Sequence, residues 1–172
     1  TLSSSSAASD VYKRQIRFSQ WKQQDYEARL AKNQDDLETL LKPLVDAGVD
    51  VFHASNRRFW EPEFQGSNLN LAGWTKKITG LPTITVGSVG LESDFIGFYQ
   101  GEDEVKTAPI DDLIKRMDDK EFDMVAVGRA LLSDPEWVNK VKDGRYDEVI
   151  PFSKKHAENY YCLLYTSPSP RD

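Results

Sequence analysis

The chain alternates short runs of β-branched and apolar residues with longer stretches in which apolar positions return every three or four residues. Four runs stand out, residues 16–19 (IRFS), 49–55 (VDVFHAS), 82–87 (PTITVG) and 122–128 (FDMVAVG). Short segments of this kind, bounded by turn residues, read as strands. Between the first two, Leu37, Leu40, Leu41, Leu44 and Val45 repeat at helical spacing, with Asn33 placed as N-cap and Gly48 as the stop; this predicts an amphipathic helix. Pro43 falls inside that pattern, and its ring removes one backbone bond and crowds the preceding turn, so a kink is expected there. Residues 69–79 followed by Gly80 predict a second helix, and Ile110, Leu113, Ile114 and Met117 mark a third. In the run Ser133-Asp134-Pro135-Glu136-Trp137, Asp134 is placed to cap a further helix and Pro135 to occupy its first position, where the missing N–H does no harm.

Strand and helix alternating four times imply parallel strands joined by right-handed crossovers. A doubly wound dinucleotide-binding sheet would carry Gly-x-Gly-x-x-Gly directly after a strand, and Gly87-Ser88-Val89-Gly90 matches that poorly. A (β/α)8 barrel typically runs to about 250 residues, so four units amount to half of one. The expected fold class is therefore α/β, the C-terminal half of a TIM barrel, over residues 16–161. Residues 1–15 and 162–172 are Ser- and Pro-rich without apolar periodicity and resemble translated adapter sequence. They are read as non-native or disordered extensions and set aside from the fold.

Composition narrows the function classes. The 172 residues are 39% hydrophobic with a net charge of −6, enough apolar material for a core and no basic run to grip nucleic acid. No stretch reaches the roughly 18 apolar residues of a membrane helix. The single cysteine, Cys162, excludes an internal disulfide and any multi-Cys zinc site and fits a reducing, cytoplasmic compartment. No Cys–His pair, HExxH or Gly-x-Ser-x-Gly occurs, so neither nucleophilic hydrolysis nor a metal site is expected.

What remains is phosphate chemistry at two strand exits. The third run ends in Gly87-Ser88-Val89-Gly90 and the fourth in Gly128-Arg129-Ala130-Leu131-Leu132. Small residues let backbone N–H groups approach an anion, and a cation with a short helix adds to the attraction. In barrels, phosphate is often held by the loops after the last two strands, so these turns together describe a phosphate cup; taken singly, each glycine serves equally well to turn the chain. Alternation on the first run places Arg17 opposite Ile16 and Phe18, pointing into the barrel. There a buried guanidinium requires either a carboxylate or a ligand carbonyl. His53 is a candidate for hydrogen-bonding a substrate or a satisfied barrel-lining histidine, the second reading being preferred, and His156 has no evident partner. Phe59, Trp60 and Phe64, in the loop after the second run, are placed to wall a planar ligand or to hold the loop down as a satellite core. No role follows for residues 91–109.

These segments carry a resemblance. The series RFSQW, LVDAGVDVFHAS, RRFWEPEF, LNLAGWTKKITGLPTITVGSVG and FDMVAVGRALLSDPEWV resembles the C-terminal half of the old yellow enzyme family of FMN-dependent NAD(P)H oxidoreductases. The resemblance implies that Arg17 lies beneath the pyrimidine edge of FMN and that Gly87, Ser88, Gly128 and Arg129 bind its phosphate. It further implies hydride transfer from NADH or NADPH through flavin to an activated alkene. His53 and Trp60, from their places in the second run and the loop after it, are candidates for the substrate side. The family's substrate clamp and proton donor belong to its first four units. Tyr26 and Tyr99 match no motif, so no catalytic acid is assigned. The expected partner is a small-molecule substrate, and an isolated half-barrel, with two unpaired strand edges, is expected to be inactive and to self-associate. The alternatives are a flavin-free phosphate-binding lyase or isomerase of the same barrel type, and a non-catalytic half-barrel that binds a phosphorylated ligand.

Overall fold

The computed structural model describes residues 14–22, 25, 27–93 and 104–156. It divides into two units. The first comprises the described residues up to Gly87 together with Asp111–Ala126, the second Ser88–Ile110 and the described residues from Val127 onward.

In the first unit, four strands form one parallel sheet: β1 (Gln15–Phe18), β2 (Val51–Ser55), β3 (Thr83–Val86) and β5 (Met124–Val125), in that spatial order. Helix α1 (Gln34–Asp46) links β1 to β2, α2 (Leu71–Thr79) links β2 to β3, and α3 (Asp111–Asp118) precedes β5. This α/β order, strand and helix alternating along a parallel sheet, is consistent with half of a TIM barrel. Each predicted strand exists, with shifted bounds. The first begins at Gln15, where the Arg14 carbonyl accepts from the amides of Asp50 and Val51. The last is only two residues long; just before it Phe122 is buried in the core, and Asp123 donates its amide to the Thr83 carbonyl at 2.9 Å while its carboxylate accepts from the Thr83 amide at 2.8 Å.

Local chemistry explains the helices. The Asn33 side chain accepts from the Asp36 amide at 2.9 Å, capping α1, and Leu37 and Leu41 bury completely. Pro43 lies inside α1, which runs on through it to Asp46, as a proline near the C-terminal end of a packed helix loses only one ladder bond. Helix α2 begins two residues later than expected, because Asn70 is its cap, and it closes at Gly80, whose φ of 68° is left-handed. Phe52 and Ala54 of β2 and Thr83 and Thr85 of β3 are fully buried, on the sheet face against which α2 packs.

The second unit holds β4 (Glu104–Val105) paired antiparallel with β6 (Phe152–Ser153), an element that the sequence pattern did not reveal. It also holds α4 (Arg129–Ser133), α5 (Trp137–Lys142) and a 3-10 turn at Tyr146–Glu148. The expected start of α5 at Asp134 and Pro135 is corrected: the helix begins at Trp137. The Asp134 carboxylate is used differently, gathering the Glu136 amide (3.1 Å), the Ile150 amide (3.0 Å) and Lys140 Nζ (2.7 Å). Burial pushes the Asp134 pKa upward, but Lys140 and the two amides outweigh it and hold the carboxyl below its usual 3.8.

Candidate functional site

All four strands of the first unit point the same way, so their C-terminal ends share one rim, the edge at which open parallel sheets carry ligands. The faces are set by register. Ile16 pairs with buried Phe52, so Arg17, His53 and Ile84, paired in one lateral row, lie on the opposite face. Ser55 follows two residues after His53 on that same face, and Arg17 Nη2 donates to its Oγ at 3.4 Å.

The expectation of a buried Arg17 that requires a carboxylate or a ligand carbonyl is corrected as to burial: its side chain is exposed and its contact is a hydroxyl. Four strands leave this face open, as the 41% exposure of Met124 in β5 also shows, so the guanidinium keeps much of its hydration and needs no counter-charge. His53 departs from the preferred reading in the other direction. It is buried, yet its Nε2 has no hydrogen-bond partner among the described residues, so it is not a satisfied lining histidine. Burial, and then the charge of Arg17, hold its pKa below 6.5; the imidazole is neutral at pH 7.

Beside these residues is a cleft of about 100 Å³ lined by Trp21, Arg29, Ser55, Arg57 and Glu63, among others. Gln20 is one of its lining residues. Fully buried, Gln20 accepts from the amides of Leu30 and Ala31 and donates to the Ala31 carbonyl and Glu63 Oε1. Burial raises the Glu63 pKa above 4.5, against the lowering effects of Arg29 and Gln20. The aromatics of the following loop act mainly as anchors. Phe59 is buried and its carbonyl accepts from Asn70 Nδ2 at 2.6 Å, Phe64 packs edge-on against Trp74, and Trp60 meets Phe59 edge-on at 5.0 Å. Gly87 has a local explanation too. With φ at 143°, a Cβ there would lie 2.7 Å from the Asn56 carbonyl oxygen, so the backbone of this rim requires glycine.

The second unit carries the other expected residues. Ser88 Oγ and Arg129 Nη2 both donate to one oxygen, the Ser93 carbonyl, at 3.2 and 2.8 Å. The Arg129 guanidinium also stands 5.8 Å from the centre of the Phe152 ring, which is buried. Ser88 adopts a φ of 50°, a conformation that costs a non-glycine residue about 1–3 kcal/mol and persists only where its surroundings impose it. Gly128 is exposed, and among the described residues a Cβ built on it meets nothing within 4 Å. Two convergent donors, one of them cationic, next to an exposed glycine fit a phosphate group by their donor chemistry. His156, for which no partner was expected, has one: its Nδ1 accepts from the Ser153 amide at 3.1 Å. Ser55 was missed although it shares a face with Arg17 by simple alternation, whereas nothing in the sequence marks Ser93.

The chain is similar to an NADH oxidase. That protein, from Thermoanaerobacter brockii, is 34% identical over 118 residues, a match that covers 64% of this chain and 15% of the NADH oxidase. The chain thus spans about 15% of the length of the curated relative it matches. No family model matches. Among the described residues no helix is long and apolar enough to cross a membrane, and no group of three His, Cys, Asp or Glu side chains is placed to hold a metal. Cys162, Tyr26, Tyr99 and the middle of the 91–109 connection lie outside the described residues.

Proposed function

We propose that this chain is the flavin-phosphate part of an FMN-dependent NAD(P)H oxidoreductase that reduces activated alkenes, and that it belongs to a longer protein of old yellow enzyme type. One observation carries the reading: Ser88 and Arg129 converge on a single oxygen beside an exposed glycine, in a chain similar to an NADH oxidase.

Bound flavin would supply the hydride chemistry, accepting from NADH or NADPH and donating to the alkene. The residues of this chain bind and bias it. Arg129 and Ser88 hold the phosphate, with Gly128 leaving it room. Arg17 meets the pyrimidine edge. Next to a neutral His53 its charge is undiluted by a second cation, and a fixed positive charge there favours the anionic reduced ring. His53 and Trp60 are assigned to the substrate side. No residue of this chain is assigned as proton donor.

The partners proposed are a small-molecule substrate and, for the isolated chain, a second copy, because β1 and β5 each pair on one side only within the described sheet. The test is purification of the longer protein with flavin absorbance as readout. It is expected to be yellow and to lose its chromophore on Arg129→Glu; a colourless protein that turns over sugar phosphates would instead support the flavin-free lyase or isomerase.

A further inference from the structure

We infer that the cleft of the first unit is a hydroxyl subsite, in which Glu63 Oε2 accepts from, and the Ser55 hydroxyl donates to, the vicinal hydroxyls of a ribose. That the ribose is the adenosine ribose of NADH rests on the flavin oxidoreductase reading. Ser55 and Glu63 both line the cleft. The Ser55 oxygen accepts from Arg17 Nη2 at 3.4 Å, which leaves its own proton to donate. Glu63 is set by Gln20. The Gln20 side-chain oxygen takes the Leu30 and Ala31 amides at 3.0 and 2.9 Å, so its nitrogen faces the other way and donates to the Ala31 carbonyl and to Glu63 Oε1, at 3.0 and 3.1 Å. Two acceptor sites and two protons are thereby used, and the buried amide cannot turn over without breaking all four bonds. It takes Oε1 of the carboxylate, and Oε2 is the oxygen left to the cleft.

The ligand class follows from this pair of groups. A hydroxyl both donates and accepts, so it fits a cleft that offers a fixed acceptor and a donor, and its bond to an ionised acceptor is stronger than one between neutral groups. Acidic side chains recognise ribose hydroxyls in dinucleotide-binding folds for the same reason. Burial raises the Glu63 pKa above 4.5, the mark of a carboxylate short of water that gains from a donor. A phosphate brings no proton for Oε2 and sets like charge beside a carboxylate that Gln20 holds in place. The guanidiniums on this cleft do not stand idle either: Arg58 Nη1 donates to Glu61 Oε1 at 2.7 Å and Arg29 Nη1 to the Ala28 carbonyl at 2.9 Å. The cleft therefore takes the 2′-hydroxyl of NADH in preference to the 2′-phosphate of NADPH.

The test titrates the full 172-residue chain separately with NADH, NADPH and methyl ribofuranoside to millimolar concentration, followed by NMR of the Glu63 carboxyl carbon and the Ser55 amide. In Glu63→Gln, Gln20 still finds an oxygen, so the new amide nitrogen turns to the cleft and an acceptor becomes a donor. NADH and the riboside are expected to shift both signals, and NADPH to bind more weakly than NADH. Glu63→Gln is expected to weaken NADH binding roughly fivefold, by loss of a charged hydrogen bond, and to narrow or reverse its lead over NADPH; Ser55→Ala is expected to weaken NADH binding by a smaller factor. Unchanged or tighter NADH binding by Glu63→Gln overturns the subsite while leaving the flavin reading in place, and so does tighter binding of NADPH than of NADH by the wild type. A response to the riboside alone, lost in Glu63→Gln, supports the subsite and overturns NADH as its source. No response to any of the three overturns the subsite, and the flavin reading then stands or falls separately on the chromophore of the longer protein.

Discussion

Arg17 in the first unit and Arg129 in the second, the two arginines proposed to meet the cofactor, each donate to an oxygen, and the two arrangements differ in what holds the arginine there. Arg17 stands on a strand, exposed, with a 3.4 Å contact to the Ser55 hydroxyl. Arg129 stands at the start of a five-residue helix, half-buried beside the Phe152 ring, with a 2.8 Å bond to a backbone carbonyl. Strand alternation alone aims the first, so its position survives without partners. The second is aimed by a loop, and a loop requires internal bonds to keep its shape, some of which are made by the functional groups themselves. The strand-borne cation therefore contributes to function without contributing much to stability, and the loop-borne one contributes to both.

The largest expected effect tests whether the rim of the first unit depends on its supporting loop. Asn70 caps α2 through the Gly73 amide at 2.8 Å and holds the Phe59 carbonyl at 2.6 Å, with no exposure at all. Asn70→Ala removes a cap worth about 1 kcal/mol and orphans a buried carbonyl at about 1–3 kcal/mol. A loss of roughly 2–4 kcal/mol in urea unfolding is expected, and a loss below about 1 kcal/mol would mean that the loop is held otherwise. The middle effect tests the comparison itself. Arg129→Ala is expected to destabilise by about 1–3 kcal/mol through the charged hydrogen bond, and Arg17→Ala by less than about 0.5 kcal/mol, as for an exposed surface position. Equal values would erase the distinction between the two arginines.

The smallest effect is a pH slope. Burial and Arg17 hold the His53 pKa below 6.5, so the unfolded chain takes up a proton first as pH falls. Stability then declines from about pH 6.5 downward until the folded pKa is passed. Glu63, raised above 4.5 by burial, acts with the opposite sign, because there the folded chain takes up the proton first. Comparing the wild type with His53→Gln cancels Glu63. The wild type is expected to lose more stability between pH 7 and pH 5 than the variant, and parallel curves would show that His53 titrates normally.

Much of the architecture was legible in advance because it obeys local rules. The four strands, the Asn33 cap, the Gly80 stop and the face of Arg17 all follow from period and capping chemistry. The misses share a cause. The exposure of Arg17, the orphaned Nε2 of His53 and the place of Ser93 depend on which elements cover a face and where a loop carbonyl comes to rest. Neither is encoded in the spacing of residues along the chain. The β4–β6 pair escaped for a related reason: two residues per strand carry no period to detect.

The central claim is that Arg129 and Ser88 receive the phosphate of FMN. Phosphorus NMR of FMN, recorded with increasing amounts of the chain and of its Arg129→Glu variant, addresses the phosphate itself. A resonance that shifts and broadens with the wild type and stays put with the variant is the predicted result. The same response to both proteins, or none to either, would contradict it.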